Sequence, residues 1–315
     1  MGGGGMPIPQ TARRLRQAET PARIAPKMPK DKREKRSGIV TLITDFGLQA
    51  EYAGALKGSI LSANPRCQVV DVTHQIPPLD IRRAAFVLKN SYPYFPEGTV
   101  HLVVVDPGVG TGRRPLVLRK NRHFFVGPDN GVFTGVLTAP GKVEGRAVTQ
   151  EAFFRKPVSA TFHGRDVFGP AAGHLSAGVP PRLFGPPVSD FTRAEETLPE
   201  RKGNRLTGRI LWADPFGNLL TNISREEYGR VLAEREWRIS GRGWRIERLA
   251  KTYGEGRPGE PLALFGSSGN LELAVNQGPA AERLGMKAGD PLIISLKEKE
   301  GSRRNENRKK SDAGF

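Results

Sequence analysis

Runs of apolar, β-branched residues alternate with segments of helical period through the first half of the chain, a pattern that predicts an open α/β sheet. Residues 38–44 (GIVTLIT) read as a buried strand ending at Asp45-Phe46-Gly47. Tyr52–Ala63 has helical spacing and stops before Asn64-Pro65. Residues 68–72 form a second predicted strand. Residues 81–90 form a second helix, with Ala84, Ala85, Val87 and Leu88 as its apolar stripe. Val103-Val104-Val105 lies in an unbroken apolar run, as in a strand covered on both faces. That run breaks at Asp106-Pro107-Gly108, since proline lacks a ladder donor and glycine permits positive φ. Residues 116–118 and 124–126 predict a strand pair turning through Lys120-Asn121, followed by a dense turn cluster at 127–131. Residues 167–177 are alanine-rich at helical spacing.

The period then changes. Residues 179–206 thin out into proline, glycine and charge, and a linker is expected at 191–206. Beyond it, short strands at 209–213, 237–239, 244–248, 262–265, 271–275 and 291–294 suit a small β-barrel or sandwich. The expected architecture is a three-layer α/β/α domain with a central, mostly parallel sheet at 38–190, and a smaller β-barrel-like domain at 207–296. There is no internal repeat.

A chain of 315 residues is long enough to bury two cores. No apolar run approaches the roughly 20 residues that cross a bilayer, and the start carries no secretory signal. Cys67, the single cysteine, excludes an internal disulfide, fits a reducing cytoplasm and reads as plain packing. The net charge of +17 raises the question of nucleic acid. Its location answers part of that question. Residues 1–38 hold ten Lys/Arg against three Asp/Glu, and residues 297–315 hold seven against four. The tails at 1–37 and 297–315 therefore carry most of the excess and read as disordered basic extensions, capable of weak, salt-sensitive contact with RNA.

Candidate chemistry gathers at strand ends. Asp106 leaves the central strand, and a glycine-rich loop returns Arg113 seven residues later, a geometry suited to holding one small polar molecule. Asp45, and Asp71 or Asp80, are further acids at strand ends, and together with Asp106 they imply a polar crevice along one sheet edge. A carboxylate after the first strand commonly grips ribose hydroxyls. With no G-x-G-x-x-G opening a helix and no G-x-x-x-x-G-K, a nucleoside fits better than a dinucleotide or triphosphate. Of five histidines, His101 and His123 read as structural, His174 as core or surface, and His74 as ambiguous. His163, in Phe-His-Gly-Arg-Asp at a loop-to-helix junction, is the catalytic candidate. Metal-ligand spacing is lacking, so no metal site is expected.

These motifs carry a resemblance. Thr44-Asp45-Phe46-Gly47, Asp71-Val72-Thr73-His74, the stretch 105–111 (VDPGVGT), Pro128-Asp129-Asn130-Gly131, the stretch 162–166 (FHGRD) and Phe216-Gly217-Asn218 occur in an order that resembles the S-adenosyl-L-methionine hydroxide adenosyltransferases, relatives of the fluorinating and chlorinating enzymes. The resemblance spans about residues 38–296 and implies hydrolysis of S-adenosyl-L-methionine to adenosine and L-methionine, by in-line attack of water at the ribose 5′ carbon. It implies Asp106, Arg113 and His163 as the catalytic group, with Asp106 or His163 as the base. It further implies Asp45 on the ribose, and Asp214, Asn218 and Ser267 around the methionine and adenine ends. The substrate needs no cofactor, and a homotrimer is expected, with each site at a subunit boundary. The halogenating relatives have one more residue between the acid and Phe-Gly-Asn, and an arginine where this chain has Ser268. Gly164 stands where they carry a halide-holding serine, and they lack the Asp106–Arg113 pair, whose carboxylate would repel a halide. Hydrolase is therefore the leading expectation. A halogenase of the same family and a non-catalytic nucleoside- or RNA-binding protein are the alternatives.

Overall fold

The structure is a computed structural model and describes residues 36–195 and 198–297. The basic extensions, with their expected disorder and nucleic-acid contact, lie almost wholly outside these residues. The chain divides into two compact units. Among the described residues, one comprises those up to Asp80 together with Tyr94–Asp129 and Ala139–Asp190; the other comprises Ile81–Pro93, Asn130–Thr138 and those from Phe191 on.

The first unit is built on seven strands: β1 (Ile39–Thr44), β2 (Gln68–Thr73), β3 (Val100–Val104), β4 (Pro115–Lys120), β5 (His123–Pro128), β6 (Glu144–Ala147) and β7 (Pro187–Val188). Their order across the sheet is β2-β1-β3-β5-β4-β6-β7. The first four run parallel, and β4, β6 and β7 pair antiparallel. Every residue of β3 is buried, as its uninterrupted apolar run requires. β4 and β5 form a hairpin whose two turn residues, Asn121 and Arg122, both take positive φ, the geometry that matches strand twist.

The order places a topological switch between β1 and β3. The chain leaves β1 toward β2 on one side and returns to β3 on the other, with Thr44 beside Val104. Crevices for ligands open at the carboxyl ends of strands at such a point. Asp45 follows the first of those ends directly, and Asp106 lies two residues beyond the second. Helices α1 (Tyr52–Ala63) and α4 (Gly169–Ser176) pack closely, because glycines line the contact. A Cβ at Gly173 would lie 2.6 Å from the Ile60 carbonyl and 2.7 Å from the Ala63 Cβ. α4 is not a plain continuation of its approach: Gly164–Phe168 form a π-turn, closed by the Gly169 N–H on the Gly164 carbonyl.

The second unit is an antiparallel, nearly closed barrel. Its strands are β8 (Glu200–Lys202), β9 (Arg205–Ala213), β10 (Leu219–Ser224), β11 (Trp237–Gly241), β12 (Trp244–Ile246), β13 (Pro261–Phe265), β14 (Asn270–Val275) and β15 (Pro291–Leu296). The path runs β12-β11-β15-β9-β10-β14-β13, and a bridge between Leu249 and Ala263 joins its two ends. In β15, Leu292, Ile294 and Leu296 point inward and alternate with less buried neighbours. Helix α2 (Ile81–Ser91) belongs to this unit: Phe86 meets Trp212 edge-on at 4.8 Å, and Arg83 lies 5.2 Å over the same ring. The short helix α3 (Thr134–Thr138) sits on α2 through Gly135.

Several elements have no counterpart in the sequence reading, among them β6, β7, β8, β10 and the helices α3 and α5 (Arg225–Glu234). The expected linker contributes β8, which pairs with β9. β10 lies where no strand is predicted. Helix α5 follows it, although its start is signalled by a capping box in which Ser224 accepts the Glu227 N–H and meets the Glu227 carboxylate.

His101 lies in β3 with Nδ1 2.8 Å from the Thr41 hydroxyl and Nε2 3.1 Å from His123. Burial, then the His123 ring, push its pKa down to about 3. Between pH 6.5 and about 3 the unfolded chain therefore takes a proton that the native chain refuses, and stability falls as pH falls. The full loss amounts to on the order of 5 kcal/mol. Urea midpoints measured between pH 7.5 and 4.5 should fall, and His101→Gln should flatten that slope. Gly173→Ala should cost about 1–3 kcal/mol through overpacking against backbone, read as a lowered thermal midpoint.

Candidate functional site

Asp106 lies two residues past β3, at the head of two consecutive tight turns. The Val109 N–H reaches the Asp106 carbonyl, and the Thr111 N–H and hydroxyl reach the Gly108 carbonyl. Those turns bring Arg113 back onto Asp106. Its Nε donates to Oδ1 at 2.9 Å and to Oδ2 at 3.0 Å, and Nη2 donates to Oδ2 at 2.5 Å. The same Nη2 donates to His163 Nδ1 at 2.8 Å. His163 precedes the π-turn, and Phe168 of that turn lies 5.0 Å beneath the guanidinium. The three predicted catalytic residues are thus one contiguous group, and the Asp106 and Arg113 side chains are only 5% and 8% exposed.

The pairing fixes the histidine's state. A guanidinium has no acceptor, so His163 Nδ1 must carry a lone pair and the ring proton sits on Nε2. Burial and the Arg113 charge push the His163 pKa below its ordinary value, against the weaker pull of Asp106 and Asp166. The ring is neutral, and its outward nitrogen is a donor. Arg113 Nη1 has no partner among the described residues, which leaves a second donor beside the first.

Asp45 is half-buried at the end of β1. Its Oδ2 accepts the Leu79 N–H at 3.0 Å, and Oδ1 has no partner among the described residues. Leu79 itself takes φ 66 and is 62% exposed. Asp71 is not at a strand end; it lies within β2, where it meets Lys57 at 2.6 Å and His74 at 3.1 Å. His74 is buried, with Nδ1 2.8 Å from the Thr44 hydroxyl, and so belongs to the framework under Asp45. His174 packs edge-on against Phe153.

In the second unit the turn between β9 and β10 joins Asp214 to Asn218. Asp214 Oδ1 accepts the Phe216 and Asn218 N–H groups, each at 2.8 Å, and Oδ2 accepts the Asn218 side-chain amide at 3.0 Å. Asp214 is therefore largely a turn-capping carboxylate. Ser267 is exposed at the tip between β13 and β14 and makes no hydrogen bond among the described residues. The sequence reading missed Glu272, a buried carboxylate on β14 that accepts the Tyr253 hydroxyl at 2.8 Å. Burial raises the Glu272 pKa; burial and Glu272 push that of Tyr253 up to about 12. Its signal, one glutamate in the apolar run LELAV, was visible.

Residues 40–185 match the model of the SAM hydroxide adenosyltransferase N-terminal domain, and residues 208–293 that of the C-terminal domain. The chain is 41% identical over 265 residues to a Thermus thermophilus protein named (R)-S-adenosyl-L-methionine hydrolase, covering 81% of this chain and 98% of that protein. It is more distantly similar to a fluorinase of an Actinoplanes species, at 27% identity over 82% of this chain and 97% of the relative. The crystal structure of a conserved Thermotoga maritima protein superposes with a TM-score of 0.75 at 36% identity, covering 82% of this chain and 99% of the other. Two matched domains and these relatives make the chain a member of the SAM hydroxide adenosyltransferase family.

Proposed function

We propose that the chain hydrolyses S-adenosyl-L-methionine to adenosine and L-methionine, without a cofactor. The observation that carries this reading is the Asp106–Arg113–His163 group at the switch point. The sulfonium departs as a neutral thioether, so the leaving group needs no acid. The difficulty lies in the nucleophile, because water must lose a proton as it attacks the 5′ carbon. With His163 a donor at Nε2, Asp106 is the proton acceptor. Its two oxygens offer about four lone-pair sites, of which Arg113 uses three. Arg113 and the His163 Nε2–H hold the oxygen and stabilise the charge that develops on it. Water's O–H bond breaks toward Asp106, the new C–O bond forms, and the C–S electrons return to sulfur. Asp45 takes a ribose hydroxyl through Oδ1. Asp214, Asn218 and Ser267 contribute to the methionine and adenine ends, and the active particle is a homotrimer of the 34.4 kDa chain.

A carboxylate paired to a guanidinium beside a neutral imidazole is equipment for removing a proton. A halide has none to lose, and the fluorinase relative is the more distant one, so both observations favour water. The sulfonium configuration in the Thermus relative's name extends to this proposal.

Purified protein incubated with S-adenosyl-L-methionine should release adenosine and methionine in equal amounts, faster from the (R) epimer. Asp106→Asn should bind the substrate with similar affinity in calorimetry while kcat falls about 10²–10⁴-fold. Full retention of rate would remove Asp106 from the mechanism. Added chloride or fluoride should yield no 5′-halo nucleoside, and removal of residues 1–37 should leave turnover intact.

A further inference from the structure

Asp166 is a wholly buried carboxylate three residues beyond His163 that the mechanism above does not use. All four of its acceptor positions are filled. Oδ1 takes Arg165 Nε at 2.7 Å and Arg155 Nη1 at 3.3 Å; Oδ2 takes Arg165 Nη2 at 2.8 Å and the Ser159 N–H at 2.9 Å. Its backbone is tied as well: the Asp166 carbonyl accepts the Arg155 N–H, and its N–H reaches the Phe162 carbonyl. One side chain thus fastens the loop at 155–161 to the π-turn that follows His163.

That loop is also the wall against which the Arg113 turn rests. A Cβ at Gly110 would come within 2.6 Å of the Ala160 carbonyl, next to the Ser159 that Asp166 holds. Gly110 takes φ +78, so the approach is built from backbone on both sides. The loop therefore sits between the segment carrying His163 and the segment carrying Arg113. We propose that Asp166 is a positioning residue for the hydrolysis: by clamping residues 155–161 to the π-turn, it fixes the Arg113–His163 contact and so the tautomer of His163.

A fold strut with four hydrogen bonds would affect stability alone. The placement of Asp166 between the two halves of the catalytic group gives it a separate consequence, since small misplacements of reacting groups cost rate more than affinity. Arg165 supports the same geometry. It is held flat against Asp166 while its Cζ lies 4.9 Å over the Phe162 ring, the residue before His163.

The inference rests on the hydrolase reading for its rate effect, and the test separates the two. Asp166→Asn in the full chain should lower kcat about 100-fold while KM for S-adenosyl-L-methionine stays within about two-fold. Long-range proton–nitrogen spectra of 15N-histidine-labelled protein should show His163 with a bare Nδ1 and a protonated Nε2 in the parent chain. In the variant the signals should shift toward averaged tautomers. An unchanged His163 pattern would overturn the proposal whatever the rate, as would a parent-like kcat. If the parent chain does not turn over the substrate, the hydrolase reading fails, and the ring signals still decide the role of Asp166. Should Asp166→Asn not fold, Arg165→Lys, at a side chain 31% exposed, tests the same clamp with the same two readouts.

Discussion

The first unit turns on a guanidinium and a carboxylate held together where little water reaches them. Withdrawing both charges from solvent costs several kcal/mol per ion, and Arg113 and Asp106 offset that only because their geometry is bidentate. The Phe168 ring, the His163 lone pair and a turn that allows no slack complete the arrangement. The fold retains an ion pair just past the end of a wholly buried strand, and the switch in strand order is what opens space in front of it.

The division of labour among the histidines follows from the same economy of water. His101 and His123 share a hydrogen bond inside the sheet, and His74 braces Thr44 beneath Asp45. Each is packing with a polar edge. His163 faces a cation, and that contact decides which of its nitrogens is available. Sequence could nominate His163 by its position before a glycine. It could not tell base from donor, because the answer lies in a hydrogen bond from a residue fifty positions away.

Much of the architecture was legible for a simple reason: apolar period is read directly by burial. The helix at Tyr52–Ala63 has the bounds its spacing implied, and β3 ends just before Val105-Asp106-Pro107. Legibility failed where local and distant partners compete for one residue. Asp71 was taken for a strand-end acid, but Lys57 and His74 hold it within the ladder. Asp214 has local partners that its letters do not announce, since its oxygens cap their own turn. β8 is short, charged and exposed, so nothing in its letters distinguishes a paired edge from a linker. The Asp166 clamp was likewise spelled out in the motif at 162–166 but readable only as a helix start.

The π-turn carries a consequence for how such sites vary. A π-turn is an ordinary helix holding one surplus residue, so the orientation of His163 is encoded by the length of the segment as much as by its letters. Losing a single position between 164 and 168 would restore regular winding and rotate everything upstream by about 100° about the axis. Two chains could then agree at every motif residue and still aim the imidazole in different directions. Within this scaffold, insertion and deletion are as direct a route to altered chemistry as substitution.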